Sequence, residues 1–238
     1  MEKKPYFRKR GLIRRLARTF LKLVLAGFLL SILYIVICKW INPPITITEF
    51  ISLVEKDGLQ KTNINYDDMG DNIKLAVMSG EDQLFPDHNG FDFKSIQKAM
   101  KHNQKSKSLH GASTISQQVA KNVFLWQHGG YFRKALEVYF TFMIEKIWTK
   151  KRILEVYLNV AQTGPGIFGV EQASKYYFNK SCKDLSRKEA AMIASCLPNP
   201  VLFTIHPMSA RVAFRYPWIM RQMNNLQNDP DIQALLKM

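Results

Sequence analysis

The chain has 238 residues, of which 47% are hydrophobic and 12% aromatic. That apolar content suffices for one sizeable domain plus an appendage, which excludes a largely disordered protein. Lysine and arginine outnumber aspartate and glutamate by 34 to 19, so the formal net charge is +15. Residues 1–22 contribute +8 of this charge and the rest of the chain +7. The two parts therefore have different reasons to be basic.

An apolar segment follows the basic N-terminus. Residues 19–38 include one charged residue, Lys22, whose long stem lets its ammonium reach the membrane surface. About twenty helical residues cover a bilayer core of about 30 Å. Tyr34 and Trp40 mark the far interface, and the preceding basic cluster predicts a cytoplasmic N-terminus. We therefore predict a single-pass protein of the plasma (inner) membrane, with the remaining chain on its extracytoplasmic or periplasmic face.

A cleavable signal peptide is the alternative to an uncleaved anchor. The residues after the apolar run, "KWINPP", offer no small-x-small cleavage site, and the run is long for a signal peptide. The anchor is therefore favoured, and the outward topology argues against nucleic acid as a partner. The predicted organisation is a basic cytoplasmic tail over 1–18, a transmembrane anchor over 19–41, a linker and entry segment over 42–69, and one folded domain over 70–238.

The folded part is predicted to be mainly α. The stretch "NPPITITEF", residues 42–50, is expected to be extended, because its two prolines disfavour a helix. Strand signals are scarce. Apolar periodicity and helix-start signals predict helices over 70–79, 92–102, 131–148 and about 150–161, and one that follows Ser113 within 111–126.

Capping residues mark several helix boundaries. Asp92 and Ser113 are the predicted N-caps of the second and third helices. Ser186 and Glu189 have the spacing of a capping box, and Pro198 ends the helix that follows.

Cysteine and histidine patterns do not indicate a metal site. Cys38 lies in the apolar span, while Cys182 and Cys196 could pair in an oxidising compartment. Cys196, within "AAMIASCLPNP", is more typical of a buried hydrophobic residue, so pairing is left open. The histidines show no ligand spacing, and no metal ligand is predicted among them: His88, His102, His110, His128 and His206.

An acidic segment interrupts the basic chain at "SGEDQLFPDHNGFDF", residues 79–93. No lysine or arginine lies between Lys74 and Lys94. Such a segment either caps helices or takes part in chemistry. Its carboxylates are Glu81, Asp82, Asp87 and Asp92.

A second charged group is predicted in the helix that begins "YFRKALEVYF". Arg133 and Glu137 lie one turn apart with Lys134 beside them, and alone they would be an ordinary surface ion pair. The preceding helix adds a polar face of Thr114, Gln117, Gln118 and Lys121. Together with Glu81 these segments supply carboxylates, cations and amide donors.

Glycosyl transfer outside a membrane needs that mixture. A carboxylate base deprotonates the attacking hydroxyl, as an inverting glycosidase does for water. A pyrophosphate leaving group needs cations to stabilise its charge more than it needs a proton donor.

These segments resemble the monofunctional peptidoglycan glycosyltransferases, whose module also occurs in bifunctional penicillin-binding proteins. "EDQLFPDHNG" looks like that family's EDxxFxxHxG motif, and "GASTISQQ" is similar to GGSTITQQ. "RKALEVYFTFMIE" is similar to RKxxE, and "KKRILEVYLN" to KxxILxxYLN. The resemblance covers roughly residues 70 to 220, with the motifs in the family's order.

The resemblance implies a lysozyme-like, mainly α fold with a membrane-proximal lobe, joined to a single N-terminal transmembrane helix. It implies that the substrate is lipid II, polymerised with inversion into a β-1,4 glycan strand with undecaprenyl pyrophosphate as leaving group. The expected partners are lipid II, the growing glycan strand and plasma membrane lipids. Other cell wall synthesis and division proteins are left open as partners. No cofactor is required, and a divalent cation at the pyrophosphate is left open.

Residue roles follow from the same resemblance. Glu81 is expected to be the general base on the 4-hydroxyl of the incoming lipid II, and Glu137 the second essential carboxylate, on the leaving-group side. Pyrophosphate would be bound by Lys121, Arg133 and Lys134. The other predicted substrate-binding residues, which order the cleft or shape its loop, are Asp82, Phe85, His88, Thr114, Gln117, Gln118, Asn122 and Asn159. Gly164, Gly166 and Gly169 match a family stretch that lines the cleft, with a glycine-rich helix stop as the alternative.

The sequence departs from the family pattern at a few places. Ala112 stands where the family often has glycine, and Ser116 where it often has threonine. The arginine that the family commonly carries near Gly129 is missing. The last motif, RRxxVL, survives only as "RYPWIM", with Arg215 retained.

Two other classes compete with the polymerase. A glycan-cleaving lytic transglycosylase or lysozyme would need a carboxylic acid of raised pKa instead of a base. A non-catalytic membrane binder would use a basic surface on anionic lipids. That surface consists of Lys94, Lys98, Lys101, Lys105 and Lys107.

"SIQK", residues 95–98, matches the SxxK of transpeptidases, but no KTG follows, so no cross-linking activity is expected. The acidic segment is predicted to lack lysine so that Glu81 is not drawn into a salt bridge.

Overall fold

The computed structural model describes residues 6–55, 57–105, 111–127 and 129–237, with side chains from residue 12 onward. The chain divides into two compact units, Met1–Ile41 and Asn42–Met238. His110, His128 and Lys107, named in the predictions above, lie outside the described residues.

In the first unit, the described residues form the helix α1, Tyr6–Cys38. Its segment Leu12–Cys38 is long and apolar enough to cross a membrane, since 27 helical residues extend about 40 Å. The helix starts well before the predicted anchor because arginine and lysine are good helix formers, so the basic tail continues the same helix.

The second unit is mainly helical, which confirms the predicted fold class. Its helices are α2 Ile47–Val54, α3 Asp71–Glu81, α4 Phe93–Lys105, α5 Ile115–Phe124, α6 Tyr131–Ile147, α7 Lys150–Val160, α8 Val170–Phe178, α9 Arg187–Cys196, α10 Ala210–Leu226 and α11 Pro230–Lys237. Two 3-10 turns span Tyr66–Asp68 and Cys182–Asp184.

A small sheet joins the entry segment to the rest of the unit. Its strands are β1 Gln60–Lys61, β2 Gln162–Gly164 and β3 Ile167–Phe168, in the order β1-β3-β2. β1 pairs with β3 in parallel, with Gln60 opposite Ile167, and β2 pairs with β3 antiparallel.

Two helix groups build the core around the acidic segment. α3 packs against α9 and α10, with Ile73, Ile193 and Ile219 fully buried. α5 packs against α6 and α7, with Ile115 and Ile144 fully buried. The C-terminus of α3, which carries Glu81, and the N-terminus of α5 therefore rest on large apolar surfaces.

The entry segment corrects one prediction. Residues 42–46 are not helical, as expected, but α2 begins at Ile47 because Thr46 and Glu49 form a capping box. The Glu49 carboxylate is fully buried and lies 2.8 Å from Lys61 Nζ. Lys61 Nζ also donates to the carbonyl of Pro43 at 3.2 Å. Residues 42–61 are thus fastened by a buried ion pair.

The other capping predictions have mixed outcomes. Asp92 Oδ1 accepts the backbone N–H of Ser95 at 2.9 Å, and Ser186 forms the capping box with Glu189, both as predicted. The N-cap of α5 is Thr114 and not Ser113. Thr114 is preferred because a glutamine follows three residues later and closes a capping box.

Glycines between α7 and α8 are required by the backbone. Gly166 has φ +66°, and a Cβ there would lie 2.2 Å from the carbonyl oxygen of Asp57. Gly169 has φ +80°, and its Cβ would lie 2.8 Å from the carbonyl oxygen of Asn159. This supports a conformational role for both glycines. Within the described part of the chain, Cys182 and Cys196 are buried free thiols and form no disulfide.

A buried carboxylate fastens α8 to the turn at Cys182–Asp184. Glu171 accepts the backbone N–H of Cys182 at 2.8 Å and pairs with Lys175 at 3.1 Å. Burial raises the pKa of Glu171, but the hydrogen bond from Cys182 and the Lys175 ammonium lower it more, so the net pKa lies below its ordinary value. A lowered folded-state pKa stabilises the fold above the unfolded pKa of about 4.3. That stabilisation is lost as the pH falls through the folded pKa.

We expect Glu171→Gln to lower the free energy of unfolding by about 1–3 kcal/mol at pH 7. The loss should shrink as the pH falls from the unfolded pKa through the lowered folded pKa, below which the native carboxyl is also neutral. Denaturant unfolding in detergent at pH 3 to 7 measures this. A difference that stays constant over that range would contradict the assignment.

Candidate active site

Glu81 is the last residue of α3, and both of its carboxylate oxygens have partners. Oε2 accepts Nε2 of Gln118 at 3.0 Å, and Oε1 lies 3.0 Å from Nη2 of Arg215 on α10. Only 10% of the side chain is exposed. Burial raises the pKa of Glu81, the Gln118 hydrogen bond and the Arg215 charge oppose this, and the net pKa is above its ordinary value. The prediction that Glu81 avoids a salt bridge is wrong, because its cation comes from a distant helix.

Gln118 links Glu81 to α7. Its Oε1 accepts the hydroxyl of Tyr157 at 3.0 Å. Burial, followed by the charge of Glu81, raises the pKa of Tyr157 well above its usual value, so the hydroxyl keeps its proton. Tyr157 was not among the predicted site residues, although it lies inside the "KKRILEVYLN" motif.

Glu137 forms the centre of a second cluster on α6. Its side chain is 4% exposed, with Arg133 Nη1 at 2.7 Å and Lys134 Nζ also in contact. The predicted ion pair on one helix face is therefore present, but its carboxylate is buried. Nε of Arg133 is a buried donor with no partner among the residues that the structure describes.

Lys121 of α5 connects the two clusters electrostatically. The pKa of Lys121 lies below its ordinary value, chiefly because the side chain is buried. The charges of Arg133 and Lys134 lower this pKa further, whereas those of Glu137 and Glu81 oppose the shift. The charge of the ammonium therefore interacts with both carboxylates. Glu81, Lys121 and Glu137 come from three different helices, α3, α5 and α6.

The residues after Glu81 hold the loop in place. Asp82 is buried, accepts Nε2 of His88 at 3.0 Å and accepts the backbone N–H of Ile115 at 2.9 Å. His88 Nδ1 accepts the N–H of Gly90 at 3.1 Å, so the proton resides on Nε2. Phe85 is fully buried, with Lys150 Nζ 4.6 Å from its ring centre. Through these contacts Asp82, Phe85 and His88 stabilise the loop that follows Glu81.

Thr114 and Gln117 make hydrogen bonds that organise the start of α5. Thr114 Oγ1 donates to the carbonyl of Gly90 at 2.7 Å, and Gln117 Oε1 accepts the N–H of Thr114 at 3.0 Å. The departure at Ser116 is tolerated, because its hydroxyl donates to Glu145, which also pairs with Lys150 at 2.8 Å.

The two asparagines predicted to bind substrate, Asn122 and Asn159, form hydrogen bonds with residues other than Glu81 and Glu137. Asn122 Oδ1 accepts Nε2 of Gln127 at 3.1 Å. Asn159 is 1% exposed, and its amide bonds to the backbone N–H and carbonyl of Ile64 at 3.0 and 2.9 Å. In the structure Asn159 fastens the entry segment to α7.

The chemistry of the site follows from the converging groups. A raised pKa suits a catalytic acid as well as a base, but the contact with Arg215 favours the ionised form of Glu81, which can accept a proton. The nearby cations can hold an anionic group. Among the described residues, no cluster of three or more His, Cys, Asp or Glu side chains could hold a metal ion. Such an arrangement is suited to moving a proton beside an anionic group.

Comparisons with known proteins agree with that chemistry. The transglycosylase family model matches residues 48–224. The chain is similar to the biosynthetic peptidoglycan transglycosylase of Pseudomonas fluorescens (strain SBW25), with 44% identity over 224 residues, 92% of this chain and 93% of that protein. The protein of the same name from Pseudomonas aeruginosa is 41% identical over 228 residues, 92% of this chain and 97% of that protein. The one from Haemophilus influenzae is 53% identical over 169 residues, 71% and 69% of the two chains. The chain belongs to the transglycosylase family, as its motifs predicted.

Proposed function

We propose that this transglycosylase polymerises lipid II into β-1,4-linked glycan strands of peptidoglycan by inverting glycosyl transfer. The observation that carries the proposal is the buried Glu81 carboxylate in contact with Arg215. The charge of Lys121 interacts both with Glu81 and with the cations around Glu137. The similarity to biosynthetic peptidoglycan transglycosylases supports the substrate class.

The proposed reaction uses Glu81 as general base. Its carboxylate takes the proton of the 4-hydroxyl of the incoming lipid II as that oxygen bonds to the anomeric carbon of the growing strand. The bond from that carbon to undecaprenyl pyrophosphate breaks, and the pyrophosphate leaves with the bonding electrons. Lys121, Arg133 and Lys134 stabilise its charge, and Glu137 orders the last two cations.

The proposed location is the plasma membrane, with α1 as a single span, a cytoplasmic N-terminus and the second unit on the extracytoplasmic face. The basic N-terminus and the apolar segment of α1 support this orientation. α4 adds an exposed basic surface that could bind anionic headgroups, with Phe93 and Met100 also exposed. Its described lysines are Lys94, Lys98, Lys101 and Lys105.

The test is polymerisation of labelled lipid II by the purified full-length chain in detergent. Glycan strands separated by gel electrophoresis would support the proposal. A lytic enzyme would instead shorten preformed strands, and a pure binder would do neither. Parallel reactions with chelator and with added divalent cation measure metal dependence. A transpeptidase assay on the same material should detect no cross-links.

A further inference from the structure

The two oxygens of Glu81 are held by separate chains of contacts. Arg215 reaches Oε1 from α10 and also donates to the carbonyl of Gly80 at 2.8 Å. Gln118 reaches Oε2 from α5. An ionised carboxylate only accepts hydrogen bonds, so Gln118 presents Nε2 to Glu81 and its Oε1 faces the other way. There Oε1 accepts the Tyr157 hydroxyl, which holds the amide in that orientation.

We propose that Arg215 and Tyr157 are positioning residues for glycosyl transfer. Arg215 keeps the Glu81 carboxylate ionised, and Tyr157 locks the Gln118 amide that aims it. This inference rests on the proposed function, in which Glu81 is the general base. It assigns a role to Arg215, the arginine retained from the RRxxVL motif in "RYPWIM".

The physical reason is the burial of Glu81. A carboxylate removed from water becomes neutral unless a charge or hydrogen bonds hold it ionised, and a neutral carboxyl cannot accept the hydroxyl proton. The charged or titratable groups that face it are Asp82, Lys121 on α5, Tyr157 on α7 and Arg215 on α10. Of these, Arg215 is the cation in direct contact.

Arg215 is held more firmly than a surface ion-pair partner. Its side chain is 20% exposed, and its guanidinium lies 5.8 Å from the ring centre of Trp218. It projects from α10, which packs against both α3 and α9. An exposed pair would be screened and mobile, whereas this contact lies against the core.

The first experiment is the pH dependence of kcat/KM for lipid II polymerisation. Arg215→Gln should move the acidic limb upward by about one to three pH units, since an adjacent cation lowers a carboxyl pKa by that much. On the acidic limb, activity should fall about tenfold for each pH unit of the shift, and it should recover toward alkaline pH. The acidic limb of Arg215→Lys should lie between those of the native chain and Arg215→Gln. Arg221→Gln, an exposed arginine of the same helix, is the matched control and should keep the unchanged profile.

The outcomes of this experiment are distinct. Recovery at high pH separates a change in Glu81 ionisation from misfolding, which would lower activity at every pH. An unmoved acidic limb in Arg215→Gln overturns the inference but leaves the proposed function standing. Absence of polymer with the unchanged chain overturns the proposed function and this inference with it.

The second experiment tests Tyr157 through Gln118. Tyr157→Phe keeps the buried ring and removes one hydrogen bond, so kcat should fall about two- to tenfold with KM little changed. Combined with Gln118→Ala, it should add almost nothing, because Tyr157 acts through that amide. Additive losses in the double variant would overturn the role assigned to Tyr157.

Discussion

Glu81→Gln is expected to lower kcat for lipid II polymerisation by about 10² to 10⁴ fold, the usual contribution of a general base. The amide has nearly the shape of the carboxylate but cannot accept the hydroxyl proton. The oxygen of the new amide can still accept the hydrogen bond from Gln118, and Arg215 still donates to the carbonyl of Gly80. The fold should therefore survive the change.

Stability of the same variant has a predictable pH dependence. Burial leaves the folded-state pKa of Glu81 above its ordinary value, so ionising this group opposes folding. Its contribution is most favourable at pH values below the unfolded pKa and declines as the pH rises through the folded pKa. The melting temperature of Glu81→Gln relative to the native chain should therefore increase from pH 4 to pH 8.

The measurement is gel analysis of glycan products beside thermal unfolding of the same preparations. Asp87→Asn is the matched control, since Asp87 is an exposed carboxylate of the same acidic segment. It should polymerise like the native chain. Substantial polymer from Glu81→Gln would remove Glu81 as the base and return the acidic segment to a purely structural role.

Much of the fold could be read from local sequence. The long helices over 131–147 and 150–160 and the capping box at Ser186 follow from apolar periodicity and short-range side-chain chemistry. The two prolines restrict the backbone only up to residue 44, so the Thr46–Glu49 capping box can start a helix at Ile47. The same spacing, a threonine followed three residues later by Glu or Gln, marks the start of α5 at Thr114.

The sequence predicted which residues form the candidate site but not which of their side chains contact one another. The motifs point to Glu81 and Glu137 as residues of interest. The Arg215–Glu81 pair joins residues 134 positions apart, and no local pattern shows such a contact. Tyr157 likewise lies in a quoted motif, yet only the packing of α7 on α5 shows which amide its hydroxyl meets.

Glu137→Gln is expected to lower kcat by about 10² to 10³ fold, the range for losing one preorganised electrostatic contact. The carboxylate holds Arg133 and Lys134 in fixed positions, and the amide cannot hold both by charge. KM should not rise, because the cluster gains net positive charge toward the pyrophosphate. Loss of the Glu137 charge should also lower the pKa of Lys121 further, which moves the alkaline limb of the pH profile downward.

The variant should lose about 1–3 kcal/mol of stability, less than for a fully buried pair, since Lys134 is 47% exposed. Glu171→Gln is a matched control, because Glu171 is another buried carboxylate with a lysine one turn later. Both variants should unfold more easily, but Glu171→Gln should keep the kcat of the native chain below its melting temperature. If Glu137→Gln also kept that kcat, the Arg133–Lys134–Glu137 ion pairs would only stabilise α6 and would have no role in catalysis. The pyrophosphate would then have to be held by other cations, Lys121 first among them.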